Sequence, residues 1–125
     1  WGRNESGQLG GSGEKLIPAL VSGLSNVSAL ALGQSHTCAI HAGGAVACWG
    51  SDSVGQLGDN ASSGNKNTPT PVAGISSGAM GIDADYTHTC VTLATGGAKC
   101  WGQNSYGKLG DGTITNRFTP VQVAF

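Results

Sequence analysis

Two stretches of this sequence decide the fold, and the second is a near copy of the first. The first reads HTCAIH at residues 36–41 and AVACW at 45–49, around Gly43-Gly44, and the second reads HTCVTL at 88–93 and GAKCW at 97–101, around Thr95-Gly96. Two short apolar runs on either side of a glycine-containing loop predict a β-hairpin. We therefore predict two hairpins and an all-β fold.

The similarity extends outward from the hairpins. The pair Trp-Gly begins at residues 1, 49 and 101, which are 48 and 52 positions apart, and a Gly-x-Leu-Gly segment follows each pair at residues 7–10, 55–58 and 107–110. A period of this size is typical of propellers, solenoids and other repeat arrays. The chain divides into a first repeat at 1–48, a second at 49–100 and a half repeat at 101–125.

The composition excludes several alternative classes. Glycine supplies 22 of the 125 residues and proline 4, while charged residues make up 10% and hydrophobic residues 38%. The glycine has no three-residue period, which excludes collagen, and the charge is too low for a typical disordered chain. Helix-forming Glu, Lys and Arg are scarce, and no apolar run approaches the roughly 20 residues of a membrane-spanning helix.

The charge pattern gives no indication of nucleic-acid binding. Six basic and seven acidic residues leave a formal net charge of -1, and no two basic residues are neighbours. Binding to phosphates needs a clustered basic face. We therefore expect a protein partner, with no nucleic acid, no cofactor and no membrane span.

These motifs resemble the regulator of chromosome condensation (RCC) repeat. The matching order is Trp-Gly, Gly-Gln-Leu-Gly, Pro and Val, a Gly-x-x-His-Thr-Cys segment and a closing Cys-Trp-Gly, and it covers the whole chain as about two and a half repeats. The resemblance implies a partial β-propeller of antiparallel four-stranded blades, with one repeat of about 50 residues per blade. Such a chain cannot close a ring, so the half repeat would be completed by further sequence or by another chain.

The second repeat departs from the first in two places. It has an insertion near residues 62–67, and Asp83 and Asp85 take the places of Ala31 and Gly33. We interpret both as divergence of loops and surface.

Residues that recur once per repeat are expected to be structural. We expect the tryptophans to pack between successive blades, the leucines to be buried, the glycines to adopt backbone conformations closed to other residues, and the histidines to hydrogen-bond a neighbouring turn. These residues are Trp1, Trp49, Trp101, Leu9, Leu57, Leu109, Gly7, Gly55, Gly107, His36 and His88. Further core candidates are Leu30, Leu32, Ile82 and Val121.

The four cysteines lie on the arms of the two hairpins. If Gly43 is the midpoint of the first hairpin, Cys38 faces Cys48, and the same spacing places Cys90 opposite Cys100. Directly opposed residues of a non-hydrogen-bonded pair have Cα atoms about 4.5 Å apart, within disulfide range. We predict two disulfides; four reduced, buried cysteines are the alternative. Disulfides imply an oxidising compartment, so we expect an extracellular, cell-surface or periplasmic protein.

Metal binding and catalysis are weaker interpretations of the same residues. His36, Cys38 and Cys48 are ligands that zinc accepts, but a fourth ligand is not evident and the Cys-x-x-Cys spacing is absent. Asp83 and Asp85 suggest a divalent cation, yet they occur in one repeat only. A Cys-His nucleophile would be present in both repeats, which favours a structural role. We expect no metal ligand and no catalytic residue.

Three Asn-x-Ser triplets are candidate glycosylation sites. They begin at Asn4, Asn26 and Asn60, and Asn60 is the best placed because it starts a variable loop. They matter only if the protein is secreted by a cell that glycosylates.

The expected function is a non-enzymatic, extracellular scaffold for protein interaction. The repeated residues build the blades, and specificity would lie where the repeats differ, at residues 11–17, 59–68, 79–86 and 112–118. Two alternatives remain open. One is a structural protomer of an extracellular fibre or homo-oligomer, assembled head to tail through open blades. The other is guanine-nucleotide exchange, which the resemblance implies because the family includes an exchange factor for a small nuclear GTPase.

Overall fold

The structure, a computed structural model, describes residues 1–61 and 64–125, and this part of the chain contains eight β-strands. The first four are β1 (Ala29–Leu32), β2 (His36–His41), β3 (Ala45–Gly50) and β4 (Lys66–Pro71). The other four are β5 (Ala79–Asp85), β6 (His88–Leu93), β7 (Ala98–Gly102) and β8 (Arg117–Gln122). A short 3-10 helix, Ser105–Gly107, precedes β8. Within the described residues, no helix has the length and apolar character needed to cross a membrane.

The strands form two antiparallel four-stranded sheets, in the orders β1-β2-β3-β4 and β5-β6-β7-β8. We call them the first blade and the second blade. The two predicted hairpins are confirmed as β2–β3 and β6–β7, with Cys38 opposite Cys48 and Cys90 opposite Cys100. The predicted all-β fold class is therefore confirmed.

The core lies between the two blades, which pack face to face. Cys38, Ile40 and Val46 of the first blade belong to one apolar cluster with Val91 and Trp101 of the second, and each of the five is at most 2% exposed. Removal of this apolar surface from water is the main term that holds the blades together.

The alternation of β1 corrects one expectation about the core. Leu30 and Leu32 are 60% and 68% exposed, so their prediction as core residues was wrong. Successive side chains of a strand point to opposite faces. Ala31 therefore takes the core position, at 5% exposure, and the two leucines face away from the second blade.

The blades are offset from the sequence repeats. The first blade spans residues 29–71 and the second spans 79–122, so each blade takes its fourth strand from the following repeat. Residues 101–125, the half repeat of the sequence, contain the end of β7 and all of β8. They complete the second blade within this chain.

Residues 1–28, which we call the N-terminal segment, correspond to the end of a further blade. A bridge joins Gly2 to Lys15. The same positions pair in the two complete blades, where Gly50 pairs with Lys66 and Gly102 with Arg117. The N-terminal segment therefore meets the first blade as the first blade meets the second.

Candidate functional site

Each tryptophan of a complete blade hydrogen-bonds the Gly-Gln-Leu-Gly loop that precedes it. The Nε1–H of Trp49 donates to the carbonyl of Gln8 at 2.9 Å, and the Nε1–H of Trp101 donates to the carbonyl of Gln56 at 2.9 Å. Both indoles are buried. Buried indoles need such a partner, so these bonds join consecutive repeats as well as filling the core.

The first glycine of each loop allows this close contact. Gly55 has a φ of +84°, and a Cβ at that position would lie 2.8 Å from the carbonyl oxygen of Arg117. Gly7 has a φ of +81° and meets the start of β4 in the same way. Any other residue would be strained in its backbone and would collide with the next blade. Gly107 also has a positive φ, but its loop contacts no further blade in this chain.

The remaining repeated residues differ in burial from one repeat to another. Leu57 and Leu109 are fully buried, whereas Leu9 is partly exposed. Trp1 is 73% exposed, because no earlier loop of this chain covers it. The three tryptophans thus share a sequence position but not an environment.

His36 makes a contact between blades that sequence analysis did not anticipate. Its Nε2 lies 2.8 Å from the Oγ1 of Thr89 in the second blade, so the prediction of a bond to a neighbouring turn was wrong. The pKa of His36 is lowered to about 4, mainly by burial and to a smaller extent by nearby His88. The imidazole is therefore neutral at pH 7.

His88 occupies the same position on the face of the second blade that points away from the first. It is only partly buried, and burial followed by the Lys108 ammonium lowers its pKa. Its Nδ1 has no hydrogen-bond partner among the described residues.

The four cysteines form the predicted pairs. Cys38 and Cys48, and Cys90 and Cys100, have sulfurs at bonding distance and Cα atoms 4.1 Å apart in both pairs. The two pairs differ in environment. Cys38 and Cys48 are fully buried between the blades, whereas Cys90 is partly exposed on the outer side of the second blade.

This difference predicts an order of reduction. Under mild reductant we expect the Cys90–Cys100 pair to open first, because a thiolate must reach a sulfur to attack it. Opening either loop is expected to cost roughly 2.5–3 kcal/mol of unfolding free energy in the chain-entropy treatment. Timed alkylation followed by peptide mass mapping would show the order. Simultaneous opening of both pairs, or earlier opening of Cys38–Cys48, would contradict the prediction.

A polar position three residues after each tryptophan organises the following loop. The Oδ1 atoms accept the N–H of the loop leucine at 2.8, 3.1 and 2.9 Å. The residues are Asn4, Asp52 and Asn104, with Leu9, Leu57 and Leu109 as donors. Sequence analysis missed this set, although its fixed distance from the repeated tryptophans was a usable signal.

The second side-chain atom distinguishes the aspartate from the two asparagines. Asn104 donates through Nδ2 to the Oδ1 of Asp111 at 3.1 Å and to the carbonyl of Thr113 at 3.0 Å. Asp52 has a carboxylate oxygen in place of that donor, and within the described chain its buried Oδ2 has no hydrogen-bond partner. The pKa of Asp52 is raised to about 6: burial is the largest cause, the Asp59 carboxylate adds to the rise, and the Leu57 N–H and the Lys66 ammonium oppose it.

Asp111 is in the opposite situation. Burial favours its neutral form, but hydrogen bonds from Thr113, Arg117 and Asn104 outweigh that effect and hold the pKa of Asp111 well below its usual range. The Arg117 Nε lies 2.6 Å from Oδ2. The loop before β8 is therefore held together by hydrogen bonds to the ionised carboxylate of Asp111.

The repeat described by these contacts is found in known proteins. The profile of the regulator of chromosome condensation (RCC1) repeat matches residues 1–40 and 96–125, and a second profile of the same repeat matches residues 27–56. The chain belongs to the RCC1 repeat family. The predicted resemblance is confirmed.

Curated relatives are much longer than this chain. The ultraviolet-B receptor UVR8 of Arabidopsis thaliana is 30% identical over 128 aligned positions, which cover 100% of this chain and 29% of the receptor. The probable E3 ubiquitin-protein ligase HERC4 of Homo sapiens is 34% identical, over 98% of this chain and 12% of the ligase. This chain thus spans less than a third of the length of either relative.

Solved structures share the arrangement of the RCC1 blades. Human WBSCR16 superposes with a TM-score of 0.85 at 23% identity, covering 100% of this chain and 34% of that chain. Prp20p of Saccharomyces cerevisiae, which has binding properties toward Gsp1p and histones, superposes with a TM-score of 0.82 at 18% identity over 33% of its chain. The likeness establishes the fold, that of a partial β-propeller.

The loops that vary between RCC1 repeats lie at one edge of the blades. In a meander of four strands, the turn from strand one to strand two and the loop from strand three to strand four leave the sheet at the same end. We call this end the loop edge; it consists of the described parts of residues 3–14, 33–35, 51–65, 86–87 and 103–116. Tyr86, Tyr106 and Ile114 are 60%, 101% and 76% exposed there. A polar depression of about 370 Å³ lies between the N-terminal segment and Asn65 and Asn67.

The backbone of Tyr106 differs from that of the equivalent residues in the other two loops. Gln8 and Gln56 each accept, through Oε1, the N–H two residues before them at 2.9 Å. Lys108 replaces this glutamine and offers no acceptor; it donates to Gln103 instead. The unheld Tyr106 has a φ of +67°, a region unfavourable for its side chain.

We therefore expect Lys108→Gln to stabilise the RCC1 fold by about 0.5–1.5 kcal/mol, the usual contribution of one hydrogen bond. Urea unfolding would measure the difference. The reverse change, Gln8→Lys, is the matched control and should lose a similar amount. A Lys108→Gln variant no more stable than the native chain would show that the missing acceptor is not the cause.

The candidate glycosylation sites differ in their surroundings. Both amide protons of Asn4 are donated, to the carbonyls of Gly11 and Gly13 at 2.8 Å, which disfavours a glycan on that nitrogen. Asn26 and Asn60 are exposed, with φ of +51° and +69°. Ser62 of the third triplet lies outside the described residues, as does part of the predicted insertion. Modification of Asn26 and Asn60 stays a prediction.

The other proposed ligands are either engaged or exposed. His36 bonds Thr89, the cysteines face one another, and Asp83 and Asp85 are exposed on the outer side of the second blade. The described residues contain no group of three or more His, Cys, Asp or Glu side chains that could hold a metal ion. An apolar groove of about 530 Å³ runs between the N-terminal segment and β1, with Trp1, Leu30 and Leu32 in its wall.

Proposed function

We propose that this chain is a non-enzymatic protein-interaction module whose partner binds the loop edge. The observation that carries the proposal is that the residues that join the blades recur between repeats, whereas other exposed loop residues do not. The contacts that join blades recur from one repeat to the next, as for Trp49 with Gln8 and Trp101 with Gln56. Outside the Gly-x-Leu-Gly segments, the loops at the loop edge differ in length and sequence, and they expose Tyr86, Tyr106 and Ile114.

Exposed aromatic and aliphatic side chains on a rigid scaffold are suited to protein recognition. Tyrosine is enriched where binding energy concentrates, because it buries a large area at a small cost in side-chain entropy. The side chain of Tyr106 is fully exposed and its backbone has an unfavourable positive φ, so this residue does not stabilise the fold. Backbone strain of this kind is common in binding loops.

The test compares two triple variants with equal numbers of exposed apolar side chains changed to serine. The loop-edge variant is Tyr86→Ser, Tyr106→Ser and Ile114→Ser. The control variant is Leu16→Ser, Ile17→Ser and Leu20→Ser, in the N-terminal segment, where the three side chains are 93%, 73% and 101% exposed. Both should keep the native circular dichroism spectrum.

Proteins captured on the immobilised native chain would be identified, purified and remeasured as binary complexes by calorimetry. We expect at least a tenfold loss of affinity for the loop-edge variant and less than a twofold change for the control. Equal affinity for the native chain and the loop-edge variant would contradict the proposal.

We also propose that the module works in an oxidising compartment. The two pairs of sulfurs at bonding distance support this proposal. Trapping of free thiols at the moment of extraction from the source, followed by mass mapping, should find all four cysteines blocked. Four free thiols would contradict it. Head-to-tail assembly through open blades and guanine-nucleotide exchange stay predictions that no particular contact favours.

A further inference from the structure

The loop between β3 and β4 contains two aspartates that face each other, Asp52 and Asp59. The residues 52 positions later, in the loop before β8, are Asn104 and Asp111. There the Asn104 amide donates through Nδ2 to the Oδ1 of Asp111 at 3.1 Å. Asp52 has a carboxylate oxygen in place of that amide, so two acceptors meet where the equivalent loop has a donor and an acceptor. We call Asp52 and Asp59 the carboxyl pair.

The carboxyl pair can form a hydrogen bond only if it holds a proton. Ionised carboxylates are acceptors alone, and the buried Oδ2 of Asp52 then has no partner among the described residues. One proton on either group restores a donor, and an O–H···O⁻ bond is among the strong hydrogen bonds of proteins. Two carboxylates that share a site repel each other when both are ionised, which favours retention of one proton.

The equivalent loop has other donors that the carboxyl pair lacks. Asp111 accepts the hydroxyl of Thr113 at 2.8 Å and the Nε–H of Arg117 at 2.6 Å. The residue at the position of Thr113 is Ala61, which has no hydroxyl, and Lys66 has the ladder position of Arg117. The carboxyl pair therefore lacks both the amide and the hydroxyl that hold Asp111.

The charged groups that act on Asp52 are the Asp59 carboxylate, in its own loop, and the Lys66 ammonium, at the start of β4. Burial is the largest cause of the raised pKa of Asp52, the Leu57 N–H and Lys66 oppose the rise, Asp59 adds to it, and the result is about 6. Because the pKa is raised from 3.8, the stabilisation by a retained proton is fully present below about pH 4 and is lost as the pH rises through 6.

Asp59 is the member of the carboxyl pair that is free to turn. Asp52 is fully buried, whereas Asp59 is partly exposed. The Oδ1 of Asp59 accepts the Ala61 N–H at 3.0 Å, and the Asn60 N–H donates to the carbonyl of Phe118 in β8 at 2.9 Å. Rotation of Asp59 into solvent breaks the first of these bonds and weakens the second, because both depend on the same turn.

We propose that the carboxyl pair shares a single proton, and that release of this proton to water turns Asp59 toward solvent and loosens residues 59–61. These residues belong to the loop edge, so a partner bound there meets a closed turn at pH 5 and a loosened turn at pH 7.5. That consequence rests on the proposed function, to which it adds regulation by pH. The switch itself is a property of the chain alone.

The test measures amide hydrogen exchange by NMR on the native chain at pH 5.0 and pH 7.5, with EDTA present so that no cation bridges the carboxylates. Protection factors, which correct for the intrinsic effect of pH on exchange, are compared at Asn60 and Ala61. Thr113 is the matched internal control, because its N–H donates to the Oδ1 of Asp111 at the same 3.0 Å. His36, whose pKa is lowered to about 4, stays neutral over this range.

Two variants remove the need for the proton. Asp52→Asn and Asp59→Asn each place a permanent amide donor against the remaining carboxylate, so the second keeps the test valid if the first is misfolded. Asp83→Asn, which removes an exposed carboxylate elsewhere, is the control variant. We expect protection at Asn60 and Ala61 to fall at least tenfold from pH 5.0 to pH 7.5 in the native chain and in Asp83→Asn. The fall should be less than twofold in the other two variants.

Three results would overturn the inference. They are equal protection at both pH values in the native chain, an equal fall in Asp52→Asn and Asp59→Asn, and an equal fall at Thr113. No partner is present in this experiment, whereas the loop-edge triple variant is measured by its affinity for one. Each of the two proposals can therefore fail while the other stands.

Discussion

Replacement of Trp101 by alanine should lower the unfolding free energy by about 3–5 kcal/mol, the range for a large aromatic side chain removed from a core. The indole is fully buried, donates to the carbonyl of Gln56 and lies against Gly58. Its loss leaves a cavity at the junction between the blades, and the Gln56 carbonyl keeps only the longer bond from the Thr89 Oγ1–H, at 3.4 Å. Since small domains are stable by roughly 5–15 kcal/mol, a loss of this size is a large fraction of the stability of such a domain.

Trp1→Ala is the matched control, because Trp1 has the same position in its repeat but is 73% exposed. Its replacement should change the unfolding free energy by less than about 0.5 kcal/mol. Urea unfolding followed by circular dichroism would measure both variants, and Trp101→Phe, which loses the hydrogen bond but keeps an aromatic ring, should fall between them. If Trp1→Ala costs as much as Trp101→Ala, the contact between loop and tryptophan is not what holds the blades.

Replacement of Asp52 by asparagine should stabilise the chain by about 1–3 kcal/mol at pH 7.5 and hardly at all at pH 4. Asparagine supplies the donor that Asn4 and Asn104 provide in the sister repeats. At pH 4 a protonated Asp52 already carries a hydrogen that it can donate, so the two side chains become equivalent.

The sign of this effect follows from the direction of the pKa shift. The pKa of Asp52 is raised from 3.8 to about 6, so its contribution to stability is fully present below about pH 4 and is lost as the pH rises through 6. His36 acts in the opposite direction: its pKa is lowered from 6.5 to about 4, so its contribution is present above pH 6.5 and is lost as the pH falls through 4. His36 contributes equally to the native chain and to the Asp52→Asn variant. Subtracting one plot of unfolding free energy against pH from the other therefore leaves only the effect of Asp52.

Asn104→Asp is the reciprocal control. It would place a carboxylate against the Oδ1 of Asp111 and the carbonyl of Thr113, so a loss of about 1–3 kcal/mol is expected at pH 7.5. Urea unfolding at several pH values measures both variants. A stabilisation by Asp52→Asn that is the same at pH 4 and pH 7.5 would show that ionisation of Asp52 is not its cause.

The parts of the fold that recur in the sequence could be predicted, because recurrence separates structural positions from chance. The hairpins, the opposition of Cys38 to Cys48 and the family resemblance all came from fixed offsets. The fourth strand of each blade could not be predicted from the sequence. β4 and β8 contain prolines and polar residues, which suit a strand with one neighbour but do not alternate in hydrophobicity.

Contacts between repeats were harder to predict, because they depend on which face each strand turns toward the next blade. Neighbouring residues of a strand face opposite sides of the sheet, so either Leu30 or Ala31 can be buried, but not both. The greater hydrophobicity of leucine favoured Leu30 as the buried residue, whereas the structure buries Ala31. The bond from His36 to Thr89 joins residues 53 positions apart, a distance that no local pattern encodes.

Hydrogen exchange of the three indole N–H groups, followed by NMR on the intact chain, tests most directly the claim that each loop holds the tryptophan of the next blade. The Nε1–H groups of Trp49 and Trp101 donate to carbonyls, whereas Trp1 is exposed. We expect two slowly exchanging signals and one that exchanges at the rate of a free indole. Three signals with the same rate, fast or slow, would contradict the account.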